Sequence, residues 1–257
     1  MDSKETIDLG RTIAEATNLL CRFVIPLYAG VKSRPILVGS GFFVEYQGKT
    51  ALVSARHVLE QFSSSNPILV YRKVNQVVAI DGLRYLSNSS SVDLGFVLTK
   101  TIALPWPDVD KLAYPLKYLH ASRAPRQNKR YLIAGYPETK NRAKLNITNI
   151  QAVTYAYHAH SISDSEYQSL GIHSTQHIAL PLDLRAGFDP DGRLVNFPKP
   201  QGMSGSPIWE LFDESEANSK TRGFPLVGVA TTYSKAKKTV FGSDVSPLLQ
   251  KLTEVLC

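Results

Sequence analysis

The sequence predicts an all-β protein, a sandwich or barrel, with one helix at each end. Three observations predict it. Nine short runs rich in Val, Ile, Phe and Tyr follow one another after Pro26, each bounded by turn residues. No helical pattern of crossover length separates them, so the alternation of an α/β protein is missing. The third is size. At 257 residues the chain is one large domain or two smaller subdomains sharing a core. That length buries roughly three quarters of the unfolded surface without help from disulfides or a structural metal.

Taken in order, residues Ile7 to Leu20 come first. Leu9, Ile13, Ala16 and Leu20 recur at near-helical spacing and give an amphipathic helix. The strand runs are Ile36–Tyr46, Thr50–Ala55, Ile68–Val74, Leu94–Leu98, Arg130–Ala134, Ile147–Tyr157, His177–Leu182, Ser206–Trp209 and Leu226–Tyr233. The stretch Ser161 to Gln201 mixes polar loops with one plain turn signal, Asp189-Pro190-Asp191-Gly192. The chain closes with Ser246-Pro247, an N-cap and first-turn pair, followed by an apolar face of Leu248, Leu249, Leu252, Val255 and Leu256. That is a terminal helix packing on the β-structure.

Composition excludes several classes. Hydrophobic residues are 43% and charged residues 20%, with both signs mixed, which is not the composition of a disordered chain. The 16 Gly and 15 Pro follow no period, and no stretch near the length of a membrane span is free of charge. Net charge is +7, and the densest basic clusters are Arg123, Arg126, Lys129, Arg130 and then Lys235, Lys237, Lys238. No aromatic RNA-binding signature accompanies them, so they read as solvated loops rather than a nucleic-acid face. The two cysteines, Cys21 and Cys257, lie near opposite ends and suit a reducing compartment. Asp2, Glu5 and Asp8 are wrong for a basic leader region, and Arg22 and Pro26 break the apolar stretch that follows. The expectation is a cytoplasmic, unprocessed protein.

Three segments carry chemistry. Gly202-Met203-Ser204-Gly205-Ser206-Pro207 sets a serine between glycines, where the backbone turns sharply and can approach a ligand. Val53-Ser54-Ala55-Arg56-His57-Val58 ends an apolar run on a histidine. Val92-Asp93-Leu94-Gly95-Phe96-Val97-Leu98 opens another on an acid. A hydroxyl nucleophile needs a base to take its proton. The base needs an acid to hold its tautomer and stabilise the imidazolium.

In this order the segments resemble the trypsin-like, chymotrypsin-fold serine peptidases. The family's GTGF…LTAAHV segment is matched by Gly39-Ser40-Gly41-Phe42-Phe43 through Leu52-Val53-Ser54-Ala55-Arg56-His57-Val58. Its DLALL segment is matched by Asp93 to Leu98, its GNSGGP loop by Gly202 to Pro207, and its LVGIVS strand by Leu226 to Thr231. Tyr131-Leu132-Ile133-Ala134-Gly135-Tyr136-Pro137 is similar to bacterial members, and the likeness runs from about Phe23 to Val245. It implies two six-stranded antiparallel β-barrels with a site in the crevice between them. The expected division is a helical extension over 1–22, a first barrel over 23–120 and a second over 121–257. It further implies Ser204 as nucleophile, His57 as general base, Asp93 as its orienting acid, and the N–H groups of Gly202 and Ser204 as oxyanion hole. Thr231, Thr232 and Tyr233 match the edge that pairs with substrate backbone. The resemblance implies no cofactor and no metal.

The chain departs from the family at three points. Met203 stands where zymogen-derived members carry an Asp, and no Arg/Lys-Ile-Val-Gly-Gly junction precedes it, so activation by a newly freed amino terminus is not expected. Ser206 replaces the second Gly of the SGGP run. Asn196 to Gln201, the segment expected to form the base of the primary pocket, contains no acid, which does not support preference for Arg or Lys. Tyr233 is expected to narrow the pocket toward small or medium apolar side chains. Of the remaining histidines, His158 and His160 share a strand face and His173 and His177 are four apart. The lack of HExxH and the isolation of Cys21 and Cys257 argue against a zinc site there. The resulting expectation is a bacterial, stand-alone serine endopeptidase of protein substrates, in a defence or regulatory setting and restrained by a partner protein, a misformed loop or narrow specificity. The rival is a catalytically silent peptidase fold used as a protein-binding module.

Overall fold

Apolar runs close enough to pair through short turns give two sheets. The structure, a computed structural model, describes residues 13–30, 35–63, 67–71, 77–89, 91–99, 112–120, 126, 129–141, 152–211 and 224–256. Residues 13–21 form helix α1, with Ile13, Ala16 and Leu20 buried as the spacing predicts. Leu9 lies outside the described residues.

The first sheet comprises β1 (Val24–Ala29), β2 (Ile36–Tyr46), β3 (Lys49–Ser54), β4 (Ile68–Tyr71), β5 (Val77–Ile80), β6 (Gly82–Leu86), β7 (Gly95–Thr99) and β8 (Ala113–Pro115). Its order is β5-β4-β1-β2-β3-β7-β6, with β8 alongside β2. Only Asp81 separates β5 from β6, the two ends of that path, so the sheet must curl until its edges meet. One-turn helix α2 (Arg56–Leu59) follows β3 directly.

The second sheet comprises β9 (Arg130–Gly135), β10 (Tyr155–His160), β11 (His177–Pro181), β12 (Gly187–Phe188), β13 (Leu194–Val195), β14 (Pro207–Leu211), β15 (Leu226–Ser234) and β16 (Thr239–Asp244). The order is β11-β16-β15-β14-β9-β10-β12-β13. It curls as well: the Tyr157 hydroxyl on β10 donates to the Pro181 carbonyl at the end of β11, 2.6 Å away. Short helices α3 (Glu138–Asn141) and α4 (Asp164–Ser169) sit in its loops, and α5 (Ser246–Leu256) closes the chain. No described helix is long and apolar enough to cross a membrane.

The two-sheet, all-β architecture with a helix at each end is the predicted one. Each sheet carries eight described strands rather than six. Short pieces add to the count: β8 has three residues and pairs in parallel with β2, and β12 and β13 have two each. β12 and β13 are joined by the Asp189–Gly192 turn, in which the Gly192 N–H donates to the Asp189 carbonyl at 3.0 Å.

The core has three large parts and a small fourth of Ile162, Tyr167 and Ala179. One lines the first sheet (Leu27, Phe43, Leu52, Ile68, Val97) and one the second (Tyr131, Ile133, Ile178, Ile208, Val240). The largest lies between the sheets, where Phe42, Val53 and Phe96 meet Leu132, Trp209 and Val229. Leu248, Leu252 and Leu256 of α5 and Ile13, Ala16 and Leu20 of α1 enter that same part. Both terminal helices therefore hold the sheets together.

The first basic cluster is not wholly a solvated loop. Arg126 is fully buried and pairs with the buried Asp244 at 2.5 Å, and also donates to the Ser174 carbonyl. Lys129 pairs with Glu210 at 3.0 Å, and Arg123 lies outside the described residues.

Candidate active site

β3 ends at Ser54, and the chain turns at once into α2, which presents His57. Asp93 lies just before β7, the neighbour of β3, so the pairing Ser54↔Gly95 brings the two together. The contact is doubly made. Asp93 Oδ2 lies 2.6 Å from His57 Nδ1, and Asp93 Oδ1 accepts the His57 backbone N–H at 3.0 Å. Holding Nδ1–H on the acid leaves Nε2 as the basic nitrogen. Burial raises the Asp93 carboxyl, but the hydrogen bonds from the His57 side chain and backbone, with the charges of His57 and Arg56, outweigh it and leave the carboxyl below its usual range. The Asp93 N–H donates to Ser243 Oγ on β16 at 3.3 Å, which ties the acid to the second sheet.

Ser204 lies in the turn before β14. Gly202 has φ +88° and Gly205 φ +89°, values that an L side chain rarely adopts. Space excludes a side chain too. A Cβ on Gly205 would fall 2.0 Å from the Ser40 carbonyl oxygen, and one on Gly202 would fall 2.8 Å from both Glu138 N and Tyr136 O.

The peptide groups of this loop can be accounted for one by one. The Gln201 carbonyl accepts from Glu138 N at 2.7 Å. The Met203 N–H donates to Pro200 O at 3.0 Å, and the Met203 carbonyl accepts from Ser206 N at 3.0 Å. The Gly205 N–H donates to Ala230 O at 2.7 Å, and the Ser204 carbonyl accepts from Ser40 N at 2.8 Å. Among the described residues this leaves the N–H groups of Gly202 and Ser204 without a protein acceptor. In a trans peptide the N–H points opposite the preceding carbonyl. With Gln201 O and Met203 O both anchored inward, both unused N–H groups are turned the other way.

The Ser204 hydroxyl donates to the Thr231 carbonyl at 2.8 Å, not to His57. The structure thus joins His57 to Asp93 and leaves Ser204 engaged with β15. Beyond Val229, β15 has no β14 partner, so Thr231, Thr232 and Tyr233 keep one ladder edge open. They line a cleft of about 360 Å³, counted out to its mouth, beside Ser204. Its walls are apolar: Ile133, Leu182, Phe197, Met203, Ala230 and Val240. Phe197 and Pro200 come from the 196–201 segment expected to supply the pocket. The hydroxyl of Tyr157 is spent outside the pocket, donating to Pro181 O and accepting from Asp183 N, so its ring is what the cleft sees.

Sequence reasoning missed three contributors. Ser40, Tyr136 and Ser243 touch the loop or the acid. The first two lie in segments quoted for their resemblance, but a serine between glycines carries no signal of what its hydroxyl holds. The remaining histidines are dispersed. His177 bonds the Ser91 and His173 carbonyls, His160 lies against Arg130, and His158 is packed beside Phe188. Among the described residues no three His, Cys, Asp or Glu converge as metal ligands.

No protein-family model matches the chain, and comparison with curated proteins found no match in sequence. Solved structures match in fold. A serine endoprotease from Yersinia pestis superposes with a TM-score of 0.54 at 16% identity, over 95% of this chain and 66% of that one. The Vibrio cholerae VesB protease gives 0.53 at 16% identity, over 91% and 64%. A Glu endopeptidase gives 0.51 at 12% identity, over 91% and 89%. The fold of this chain is the chymotrypsin-like two-barrel fold of trypsin-like serine proteases.

Proposed function

We propose that the chain is a serine endopeptidase that cleaves protein substrates through an acyl-enzyme. The observation that carries this reading is the peptide accounting around Ser204: the two N–H groups left over belong to the hydroxyl-bearing Ser204 and to Gly202, two residues before it. Two such donors are what a tetrahedral oxyanion needs. In this reading Ser204 Oγ leaves the Thr231 carbonyl and passes its proton to His57 Nε2 as it attacks the scissile carbonyl. Asp93 stabilises the imidazolium without taking the proton. The oxyanion forms against Gly202 N–H and Ser204 N–H. His57 then protonates the departing amine, and water, deprotonated by His57, releases the acyl group. Substrate backbone adds along Thr231, Thr232 and Tyr233 as a further strand. The apolar cleft takes an uncharged side chain N-terminal to the cut.

The same proposal keeps the division into 1–22, 23–120 and 121–257, with the site in the crevice. It keeps a reducing cytoplasmic setting, for which two distant cysteines argue, and a bacterial stand-alone role in defence or regulation, for which the resemblance argues. No cofactor takes part. Partners are a protein substrate and a restraining protein.

One observation favours the second reading, a latent or silent fold that binds protein. Ser204 is hydrogen-bonded to Thr231 rather than His57. Fluorophosphonate labelling decides. Wild type is expected to label, with Ser204→Ala and His57→Ala unlabelled and folded. A folded wild type that does not label under reducing conditions refutes the peptidase and leaves the binding module.

A further inference from the structure

Met203, the residue before Ser204, is apolar and buried, so no charge at that position holds the loop. We infer that Ser40 is the positioning residue that keeps the Gly202–Ser204 loop open. This rests on the peptidase reading above and names what keeps its site assembled.

Ser40 is fully buried on β2 and spends all its polar groups at this junction. Its hydroxyl donates to the Gly202 carbonyl at 3.1 Å and accepts the Tyr136 N–H at 2.9 Å. Its own N–H donates to the Ser204 carbonyl at 2.8 Å, and its carbonyl accepts from Ser54 Oγ at 2.8 Å. It therefore grips the carbonyls of both residues whose N–H groups remain unspent. Rotation of the 202–203 or 204–205 peptide would break a bond to Ser40.

The sheet explains why this residue is available. Ser40 pairs with Pro26 across β1 and β2. Its N–H and carbonyl both point away from β1, so this is a pair with no ladder bonds, where a proline's missing N–H costs nothing. On the other side β3 has ended: the β2–β3 register stops at Phe42↔Val53. Ser40 thus faces a place where a strand is missing, and the Ser204 loop occupies it. Gly205 makes the approach possible, since any side chain there would strike the Ser40 carbonyl. Tyr136 extends the grip, because its hydroxyl donates to Val24 O on β1 at 3.1 Å.

Removing the hydroxyl leaves two buried backbone groups unpaired, the Gly202 carbonyl and the Tyr136 N–H. The Gly202 carbonyl can recover a partner only by turning the 202–203 peptide, which is joined through the Cα atoms of Gly202 and Met203 to the 201–202 and 203–204 peptides that carry the two free N–H groups. The loss falls on the step that builds an oxyanion, not on substrate binding along β15.

The test compares wild type, Ser40→Ala, Ser40→Cys and Ile80→Val. Ser40→Cys keeps the volume with a weak donor and covers the case in which the alanine variant does not fold. Ile80→Val is a core change in the first sheet, away from the loop. The readouts are the fluorophosphonate labelling rate per folded molecule and the split between kcat and KM on a peptide. Losing a donor to a buried acceptor predicts a roughly ten- to hundredfold fall in labelling rate and kcat. KM should stay within about twofold, because uniform binding is untouched. Ile80→Val should label as wild type. A wild type that labels while both Ser40 variants label equally fast overturns this inference alone. Loss confined to KM overturns it too. A wild type that never labels overturns the peptidase reading and this inference with it.

Discussion

Gly202→Ala is the most informative single change in the loop. Two penalties add, and the structure separates them. The first is conformational: at φ +88° an L residue costs about 1–2 kcal/mol. The second is steric. The new Cβ would sit 2.8 Å from Glu138 N and Tyr136 O, both backbone atoms that cannot swing aside. Overpacking of this kind costs about 1–3 kcal/mol. Gly48→Ala isolates the first penalty, since Gly48 has φ +77° and nothing within 4 Å of its would-be Cβ. Urea unfolding should therefore place Gly202→Ala below Gly48→Ala by the steric share. If the loop yields instead of the body, the Gly202 N–H moves off its aim, and losing one oxyanion donor costs about 10²–10³ in kcat. The assay is fluorophosphonate labelling, corrected for the folded fraction read from the same unfolding curve. Gly48→Ala should react at the wild-type rate and Gly202→Ala at least about a hundredfold slower. Equal rates would refute the role given to the Gly202 N–H. Equal stabilities would refute the steric argument.

Arg126→Met should lower stability by about 3–5 kcal/mol, because Asp244 is left charged and buried without its partner. A loss under about 1 kcal/mol in denaturant titration would show that Asp244 is satisfied by its bonds to Ser246 alone. His158 is held down to about 4 by burial first, then by the charges of Arg130 and His160. The unfolded histidine takes a proton as pH falls through about 6.5 and the folded one does not, so stability should drop between about 6.5 and 4, by up to about 3 kcal/mol. His158→Phe should flatten that part of the pH–stability curve, and an unchanged slope would assign it to other groups. Burial, with Asp189 nearby, pushes the Cys21 thiol up to about 12. It should resist a thiol reagent at pH 8 until the chain is unfolded, and fast native labelling at Cys21 would contradict its packing.

The parts of the fold legible from sequence were those whose pattern is local. β2 was readable to the residue, since Ile36–Tyr46 is an unbroken strand-forming run closed by the Gln47-Gly48 turn. β1 was not, because Arg22 and Pro26 interrupt the pattern. Pro26 is tolerated only through its pairing with Ser40, which no local window contains. β12 and β13 exist only as each other's partners, and β16 owes its burial to β11 and β15 on either side. At the site, His57, Asp93 and Ser204 stood out because each is an uncommon residue type in a distinctive segment. Ser40 and Ser243 did not, since a serine's role depends on which backbone group reaches it from more than a hundred residues away. Arg126 looked like one charge among several in a basic stretch, and only Asp244 marks it as interior.

The anchoring of the Ser204 turn on Ala230 has a consequence for the order in which the protein comes off the ribosome. Gly205 and Ser206 are stitched to Ala230 through both of its backbone groups, and Ser204 rests on Thr231. While those residues are still inside the exit tunnel, His57, Asp93 and Ser204 have all been synthesised, yet the turn has nothing to close upon. The inter-sheet core is also short of Leu248, Leu252 and Leu256 until α5 emerges. A half-made chain thus carries every reactive side chain without the frame that aims them. Domains fold as units during synthesis, and this unit is not complete without β15 and β16. In the peptidase reading, the frame that aims Ser204 is therefore incomplete until β15 and α5 have been made.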